Sequence, residues 1–394
     1  MQAEDAGTGY QVVQRSPEEN RRLRAECPVA HTGEGTWYVS SAEAVQAVLK
    51  DVDSFRADLA PMSGLQHLDQ VPPEQHFLSE ISPPRHGRVR RLFNAWFGPH
   101  RVAATEPFVR SLCHRLVDDM LAAEVADLHG DYAMQIPSHV MARAMDLDEA
   151  AAADFMRWSY DGSILLRPCT PGLRPDEPEI QAFFARELAA RRADPAAPDD
   201  LFRFFSEADI EGGRLTDREI VTQLHFMIQA GVHTTRGLLA HLGATLLFDP
   251  DLFVRLRDDR SLVPRFVEES LRHDPPASVL TRRCTHHVEL DGERLVAGDL
   301  VSVGIASANR DDALYDDADA FRLDRDDPRN HLGFGGGPHV CPGATLARME
   351  AVTSMDVLLD RVSEMAPVPG ATYPPVPSGL SHLPVLARLV AAPR

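Results

Sequence analysis

Cysteine is scarce in this chain and scattered along it. The 394 residues include five cysteines, at positions 27, 113, 169, 284 and 341, and none of them forms a CxxC pair. Cysteines in CxxC pairs are typical of zinc sites, and an even number of closely spaced cysteines is typical of disulfide-rich domains. The pattern therefore disfavours a disulfide framework and a structural zinc site, but it leaves room for one cysteine with a chemical role.

Basic charge and long apolar runs are also scarce. Forty Lys and Arg residues stand against 59 Asp and Glu residues, so the formal net charge is −19. This balance disfavours nucleic acid or an anionic membrane as a general partner. The first twenty residues contain neither a basic segment nor an apolar run, so we expect no signal peptide or membrane anchor and a soluble, cytoplasmic protein.

The spacing of apolar residues predicts a mainly α-helical chain with minor β structure. Residues 36–40 and 288–305 alternate as strands and hairpins do, and residues 41–51 have a helical pattern. The helical period is clearest over residues 102–121, 136–160, 180–192, 217–247 and 344–361.

No shift in composition divides the chain. We therefore expect one domain over residues 1–394, with residues 1–26 as an N-terminal extension. The proline-rich segments 167–179 and 193–200 are short and flanked by helical patterns, which predicts surface connections.

Residues 331–348, HLGFGGGPHVCPGATLAR, combine one cysteine with closely spaced glycines. Glycine lets the backbone turn tightly and approach a flat partner, and Pro342 can open the helix predicted next. Cys341 then lies just before a helix N-terminus, where the dipole and unpaired amides favour a thiolate. One soft ligand in such a loop suits haem iron better than tetrahedral zinc, which needs three further ligands nearby.

The spacing FGxGxHxCxG, from Phe334 to Gly343, resembles the haem-binding loop of the cytochrome P450 family. The resemblance implies that Cys341 is the axial ligand of haem b, that Gly335 belongs to the same loop, and that His339 holds a propionate. It also implies the cytochrome P450 fold, a single α-rich domain with small β-sheets. In that family a thiolate ligand promotes cleavage of the O–O bond.

Residues 82–94 begin with two prolines and continue as a basic helical pattern. His86 and Arg90 are four residues apart, so both project from one face, as donors to a pair of carboxylates would. A solvated basic helix would show the same pattern. The resemblance implies that both side chains bind the haem propionates. It assigns the second propionate arginine to Arg282, or to Arg283 if the register slips by one.

The predicted helix over 217–247 contains the segment AGVHTT. Ala230 and Gly231 remove side-chain bulk, and glycine costs about 1 kcal/mol in mid-helix relative to alanine, so a ligand or a neighbouring helix must come close. The segment resembles the oxygen-binding segment of the family, which implies that Thr234 delivers protons. His233 stands where the family has an acid; it could ligate iron, relay protons or merely pack against neighbouring helices.

Two further segments carry weaker signals. In FVEESLRHDPP, Glu269 and Arg272 share a helix face; such pairs usually lie at the surface, but the resemblance implies a buried structural pair locked to Arg322 or Arg325. The irregular segment 52–80 offers candidates for the substrate pocket: Met62, Leu65, His67 and Leu68.

Together these motifs predict a haem-thiolate monooxygenase that oxidises a small organic molecule, in secondary metabolism, as a monomer. The sequence has no flavin or iron–sulfur signature, so electrons are expected from a separate ferredoxin and ferredoxin reductase. A basic face would attract such a partner, and its candidates are Arg85, Arg88, Arg91 and Arg348. Two alternatives stay open: oxidative coupling or rearrangement without oxygen insertion, which the altered His233 would fit equally well, and a haem sensor without catalysis.

Overall fold

The computed structural model describes residues 15–33, 35–57, 72–160, 177–210, 213–373 and 384–393. The pocket candidates Met62, Leu65, His67 and Leu68 lie outside the described residues, and so does most of the proline-rich segment 167–179. The other proline-rich segment connects two helices, as predicted.

Helices make up most of the described chain. Short helical turns lie at Pro73–Gln75, Arg260–Leu262 and Gly337–His339, and a π-helix covers Leu128–Ala133. The α-helices, in chain order, are α1 (Pro17–Glu26), α2 (Ala42–Lys50), α3 (Arg85–Trp96), α4 (Pro99–Ala122), α5 (Gln135–Ala144), α6 (Glu149–Tyr160), α7 (Glu177–Ala193), α8 (Leu201–Glu207), α9 (Asp217–Phe248), α10 (Pro250–Asp258), α11 (Val263–His273), α12 (Ile305–Ala308) and α13 (Ala344–Arg361).

The strands form small sheets. They are β1 (Val29–Gly33), β2 (Thr36–Val39), β3 (Phe55–Arg56), β4 (Ala126–Asp127), β5 (Leu280–Cys284), β6 (Val288–Leu290), β7 (Glu293–Leu295), β8 (Leu300–Val303), β9 (Val362–Pro367) and β10 (Leu386–Ala391). One sheet has the order β1-β2-β8-β5-β3, a second has the order β4-β10-β9, and β6 pairs with β7. The predicted fold class, mainly α with minor β, is confirmed.

The predicted hairpin region, 288–305, is divided between two sheets. Strands β6 and β7 form an antiparallel hairpin around Asp291 and Gly292, whose φ angles are 52° and 79°. Positive φ at both central residues is the geometry of a type I′ turn, which matches the twist of the strands. Strand β8 instead pairs with β2 in parallel and with β5 in antiparallel orientation.

Most predicted helices are confirmed, but the pattern over 136–160 is two helices. Helix α5 ends near Met145, and Asp146 has a φ of 48°, a left-handed conformation that α-helices do not continue through. Asp148 then accepts the N–H of Ala151 at 3.1 Å at the start of α6. The apolar period continues across this break in the backbone, so the sequence pattern predicts one helix where the structure has two.

The predicted N-terminal extension, residues 1–26, is described from residue 15 onward, and there it is docked on the rest of the chain. In helix α1, the Asn20 carboxamide accepts the Tyr38 hydroxyl at 2.7 Å, and Arg24 donates to the Ser307 carbonyl at 3.1 Å. Residues 17–26 thus form a helix that packs against the rest of the chain.

Helix α9 is the central helix of the buried core. Thr216 accepts the Glu219 N–H at 3.2 Å and the Glu219 carboxylate accepts the Thr216 N–H at 2.7 Å, which forms a capping box. From Val221 to Leu247, all of which the structure describes, every residue is buried except four half-buried ones: Gln229, Ala230, Gly231 and Thr234. These four residues mark the part of helix α9 that borders an open space.

Within the described residues, no single helix is long and apolar enough to cross a membrane. Helices α9 and α10 pass that test only when taken together, and they are bent by 104° at their junction.

Candidate functional site

A cavity lies between helix α9, the first turns of helix α13 and the loop that precedes α13. Much of its wall is apolar, including Leu78, Phe93, Phe226, Met227, Leu238 and Ile305. Such a surface favours apolar groups because their burial releases water.

Cys341 lines this cavity and is half-buried. Its N–H donates to the Phe334 carbonyl at 2.9 Å, which closes the loop between the two residues. Burial raises the pKa of the Cys341 thiol, and hydrogen bonds from the Gly343 and Ala344 amides oppose this rise. Helix α13 begins at Ala344, so the predicted position of Cys341 just before a helix N-terminus is confirmed.

Two glycines of the loop have conformations that other residues rarely adopt. Gly335 and Gly337 have φ angles of 74° and 62°. A Cβ atom on Gly337 would lie 2.2 Å from the Leu49 carbonyl oxygen, far inside contact distance. The absence of a side chain at Gly337 therefore lets the loop pack directly against helix α2.

Four basic side chains come together beside the cavity. His86, Arg90 and His339 line it, and the rings of the two histidines lie 4.1 Å apart between centroids. Arg282 does not line the cavity, but its charge acts on His339. Arg282 is 5 % exposed while Arg283 is half-buried, so the predicted register, with Arg282 pointing inward, agrees with the strand.

Among the described residues, this cluster has no acid. Burial and Arg90 lower the pKa of His86 to about 4, and burial, His86, Arg282 and Arg90 lower the pKa of His339 to about 3. Burial alone lowers the pKa of Arg282 to about 10. His86 Nε2 and Arg282 Nε are buried and have no hydrogen-bond partner in the described part of the chain. Because unmatched buried cations are costly, the cluster is suited to an anion from outside the chain.

Helix α9 contributes the predicted AGVHTT segment to the cavity wall. The Thr234 hydroxyl donates to the Ala230 carbonyl at 2.7 Å, one turn back, as expected for threonine in a helix. A Cβ atom on Gly231 would meet Met141 Sδ at 3.7 Å, an ordinary contact. Helix packing therefore does not require glycine at 231, and the open space belongs to the cavity.

His233 does not line the cavity. It is 5 % exposed, and Arg236 Nη2 lies 3.1 Å from its Nδ1 and 3.4 Å from its Nε2. Because a guanidinium only donates, at least one ring nitrogen of His233 acts as an acceptor. The structure thus brings Ala230, Gly231 and Thr234 to the cavity and leaves His233 behind them.

Glu350 is a cavity residue that the motifs did not reveal. It lies on helix α13, it is 2 % exposed, and its Oε2 has no hydrogen-bond partner within the described residues. Burial raises the pKa of its carboxyl to about 8, so the group is mostly protonated at neutral pH. A signal was present in the sequence, because Leu346, Ala347 and Glu350 share one helix face and all three line the cavity.

The predicted Glu269 and Arg272 pair is buried. Arg272 donates to both Glu269 oxygens at 2.8 and 2.7 Å, and Arg325 Nε lies 3.1 Å from each oxygen. The Arg322 backbone N–H donates to the same carboxylate at 2.7 Å. The partner arginine is therefore Arg325, and Arg322 contributes only its main chain.

The four arginines proposed for the basic face differ in exposure: Arg85 and Arg348 are half-buried, and Arg88 and Arg91 are exposed. Arg85 forms an ion pair with Glu219, and Arg348 donates to the Glu268 carboxylate at 2.7 and 3.0 Å. Arg85 and Arg348 therefore each bind a carboxylate of the chain. The exposed Arg88 and Arg91 lie on helix α3.

Comparison with known proteins agrees with the site. Residues 180–364 match the family model described as cytochrome P450. The chain is 33 % identical over 387 residues to the cytochrome P450 monooxygenase PikC of Streptomyces venezuelae, covering 92 % of this chain and 89 % of that protein. It is also 33 % identical over 294 residues to the cyclomarin C epoxidase CymV of Salinispora arenicola, covering 73 % and 74 %.

Solved structures show the same fold. Cytochrome P450 CYP109Q5 from Chondromyces apiculatus has a TM-score of 0.84 at 30 % identity and 95 % coverage of both chains. A mutant of P450 EryK in complex with erythromycin B has a TM-score of 0.82 at 27 % identity and the same coverage. The fold, the similar relatives and the cysteine loop lead to one conclusion: this chain belongs to the cytochrome P450 family and is an oxidoreductase of the monooxygenase type.

Proposed function

We propose that this chain, acting as one domain, holds haem b with Cys341 as the axial ligand of the iron. Family membership implies a haem-thiolate cofactor. The single observation that carries the assignment is the Cys341 thiol, which lines the cavity while the Gly343 and Ala344 amides direct hydrogen bonds to it. The residues proposed to contact haem are His86, Arg90, Ala230, Gly231, Arg282, Phe334, Gly335, His339, Cys341 and Gly343.

The residues present fit haem b. The propionates would supply the two anions that His86, Arg90, Arg282 and His339 lack, and each charge-assisted hydrogen bond would contribute about 1.5 to 3 kcal/mol. The missing side chain at Gly231 leaves space for a flat macrocycle along helix α9.

When bound, a thiolate-ligated haem iron supplies oxygen activation and cleavage of the O–O bond. The chain must then exclude bulk water, position the substrate and deliver protons. The apolar wall excludes water and positions the substrate. For proton delivery we assign Thr234, whose hydroxyl lies at the cavity, with His233 behind it as a relay, since imidazole can both accept and donate a proton.

The proposed substrate is a small organic molecule with a largely apolar surface, oxidised in secondary metabolism. The wall formed by residues such as Leu78, Met227 and Ile305 recognises apolar surface. The relatives include an epoxidase of cyclomarin C and a structure in complex with erythromycin B, which supports a natural product as substrate.

The test of the haem-thiolate assignment is the absorption spectrum of the reduced protein with carbon monoxide. We expect Cys341→Ser to abolish the thiolate-type spectrum, because a hydroxyl does not replace a thiolate as a ligand. Cys284→Ala is the control, since Cys284 is buried in strand β5 and donates to the His286 carbonyl, and it should keep the spectrum. An unchanged spectrum in Cys341→Ser would refute the assignment.

A second candidate reaction is oxidative coupling or rearrangement without oxygen insertion. It is favoured by the position of His233, which replaces the usual acid and lies off the cavity wall. Product mass separates the two: hydroxylation or epoxidation adds one oxygen, whereas coupling removes two hydrogens.

We further propose that a separate ferredoxin and ferredoxin reductase supply the electrons to a monomeric enzyme. Arg88 and Arg91 are the exposed basic residues that support an acidic partner. If reduction by ferredoxin does not slow as salt is raised, an electrostatic contact of this kind is not used.

A further inference from the structure

Glu268 lies next to the structural Glu269 but makes a different set of contacts. It is 4 % exposed, and its carboxylate accepts from Arg348 at 2.7 and 3.0 Å, from His331 Nε2 at 3.0 Å and from Arg329 at 3.3 Å. One buried carboxylate on helix α11 therefore ties together the start of the cysteine loop and the second turn of helix α13.

The contact with His331 has a defined proton arrangement. His331 Nδ1 accepts the Gly333 N–H at 3.0 Å, so the proton of a neutral ring resides on Nε2 and is donated to Glu268. The histidine thus holds the carboxylate through a hydrogen bond without adding charge, and the half-buried Arg348 is its principal cation.

Arg348 links this carboxylate to the ligand loop. Its guanidinium lies 4.5 Å from the centre of the Phe334 ring, within the range of a cation–π contact. The Phe334 carbonyl in turn accepts the Cys341 N–H. Arg348 is also one of the two cations, with Arg90, whose charge favours the Cys341 thiolate.

We propose that the Glu268–Arg348 ion pair sets how much positive charge acts on Cys341, and thereby sets the reduction potential of the haem. The inference rests on the proposed function, because it requires Cys341 to ligate the iron. Glu268 and Arg348 are positioning residues that act through Phe334 and Cys341.

The physical reason is electrostatic. Reduction adds one electron to the ferric haem, so a nearby cation stabilises the product and a nearby anion opposes it. The close carboxylate offsets most of the Arg348 charge at present. Groups that contact a metal ligand without touching the metal, and hydrogen bonds to a thiolate, are known to change the reduction potential of such sites.

The experiment is a reductive titration with dithionite and redox dyes of the haem-loaded wild type and its variants. We expect Glu268→Gln to raise the potential, because the Arg348 charge is no longer offset. Arg348→Gln should lower it, and the double variant should return close to the wild-type value. Arg348→Lys keeps the charge and should lie closer to the wild type than Arg348→Gln does.

Arg329→Gln is the matched control. Arg329 contacts the same carboxylate, but its side chain is 72 % exposed, and water screens such charges. We expect a shift clearly smaller than that of Arg348→Gln.

The direction of the shifts in reduction potential distinguishes an electrostatic effect from an effect of loop packing. Loss of loop packing would move the potentials of Glu268→Gln and Arg348→Gln in the same direction, and that result, or no shift in either, would overturn the proposal. If Glu268→Gln does not fold, the comparison of Arg348→Lys with Arg348→Gln decides alone. The carbon monoxide spectrum of the wild type tests the thiolate itself, so failure of the proposed function is recognised separately.

Discussion

Two clusters of basic side chains border the cysteine loop, and they differ in whether the chain provides the acids. In the first, which we call the paired cluster, Arg272 and Arg325 bind Glu269, and Arg348 binds Glu268. Both carboxylates are buried. Hydrogen bonds from His331 and Arg348 outweigh burial and hold the pKa of Glu268 at about 2.

The second, which we call the acid-free cluster, consists of His86, Arg90, Arg282 and His339. Positive charge on one member disfavours protonation of the two histidines. Burial is the largest cause of the low pKa values of both histidines, and each charged neighbour that lowers them further is a cation. No carboxylate of the described residues opposes them.

The difference shows what each cluster is for. A buried charge needs a partner, and removing one member of a buried pair leaves the other uncompensated. The paired cluster is complete within the chain, so it stabilises the fold and holds the ligand loop. The acid-free cluster is completed only by a bound anion, so it stabilises the complex with haem.

The largest effect is expected from breaking the paired cluster. Glu269→Ala should lower the free energy of unfolding by about 3 to 5 kcal/mol, because Arg272 and Arg325 are left as buried, uncompensated charges. Urea unfolding followed by far-UV circular dichroism measures this, with or without haem.

Arg322→Ala is the control for that variant. Arg322 donates its backbone N–H to Glu269, and alanine retains that donor, so a change within about 0.5 kcal/mol is expected. Equal destabilisation by the two substitutions would mean that the buried ion pair is not what stabilises this region.

A smaller effect, and one confined to the haem complex, is expected from the acid-free cluster. Arg282→Met or Arg90→Ala should weaken haem binding by about 1.5 to 3 kcal/mol, roughly 10- to 150-fold. Haem titration of the haem-free chain measures this. The haem-free chain itself should not lose stability in Arg282→Met, because the substitution removes an unmatched buried cation.

Arg88→Ala tests the choice of helix face. Arg88 lies on the same helix as Arg90 but is exposed, so its removal should leave haem affinity nearly unchanged. If Arg88→Ala and Arg90→Ala weaken haem binding equally, the cluster acts only as diffuse positive charge and not as a binding site.

The sequence was sufficient for features that depend on local spacing. Cys341 before a helix start, the shared face of His86 and Arg90, and the small residues in helix α9 follow from short stretches whose geometry the backbone fixes. The helices predicted over 41–51, 102–121, 180–192, 217–247 and 344–361 followed from apolar periodicity for the same reason.

Features that depend on distant partners were not predicted. The sequence makes Arg348 a candidate for the basic face, because nothing in its neighbourhood shows that Glu268, 80 residues away, binds it. Glu350 was overlooked because an acid on a helix is usually exposed, and only tertiary packing buries it. The pairing of Glu269 with Arg325 rather than the Arg322 side chain likewise depends on how the 321–325 loop is folded back.

The last expected effect is a pH dependence that should differ between the clusters. In the haem-free chain, His86 and His339 have pKa values of about 4 and about 3, below the ordinary 6.5. The unfolded chain therefore takes up protons first as the pH falls below about 6.5, and proton uptake by the unfolded state lowers stability. Glu268 acts in a lower window: its stabilisation is lost as the pH falls from about 4.5 towards 2.

Urea unfolding of the haem-free chain between about pH 7 and pH 5 leaves Glu268 ionised. Glu350, with its pKa of about 8, acts in the opposite direction in this range, so the two histidines are identified by comparing the wild type with variants that lack them. We expect stability to fall over this range, and to fall less in His86→Gln and His339→Gln, which cannot take up the proton. Haem should reduce the slope in the wild type, since its propionates would favour the charged imidazolium and restore the pKa values. A slope that is the same with and without haem would show that the anions completing the acid-free cluster are not the propionates, and would remove the main distinction drawn between the two clusters.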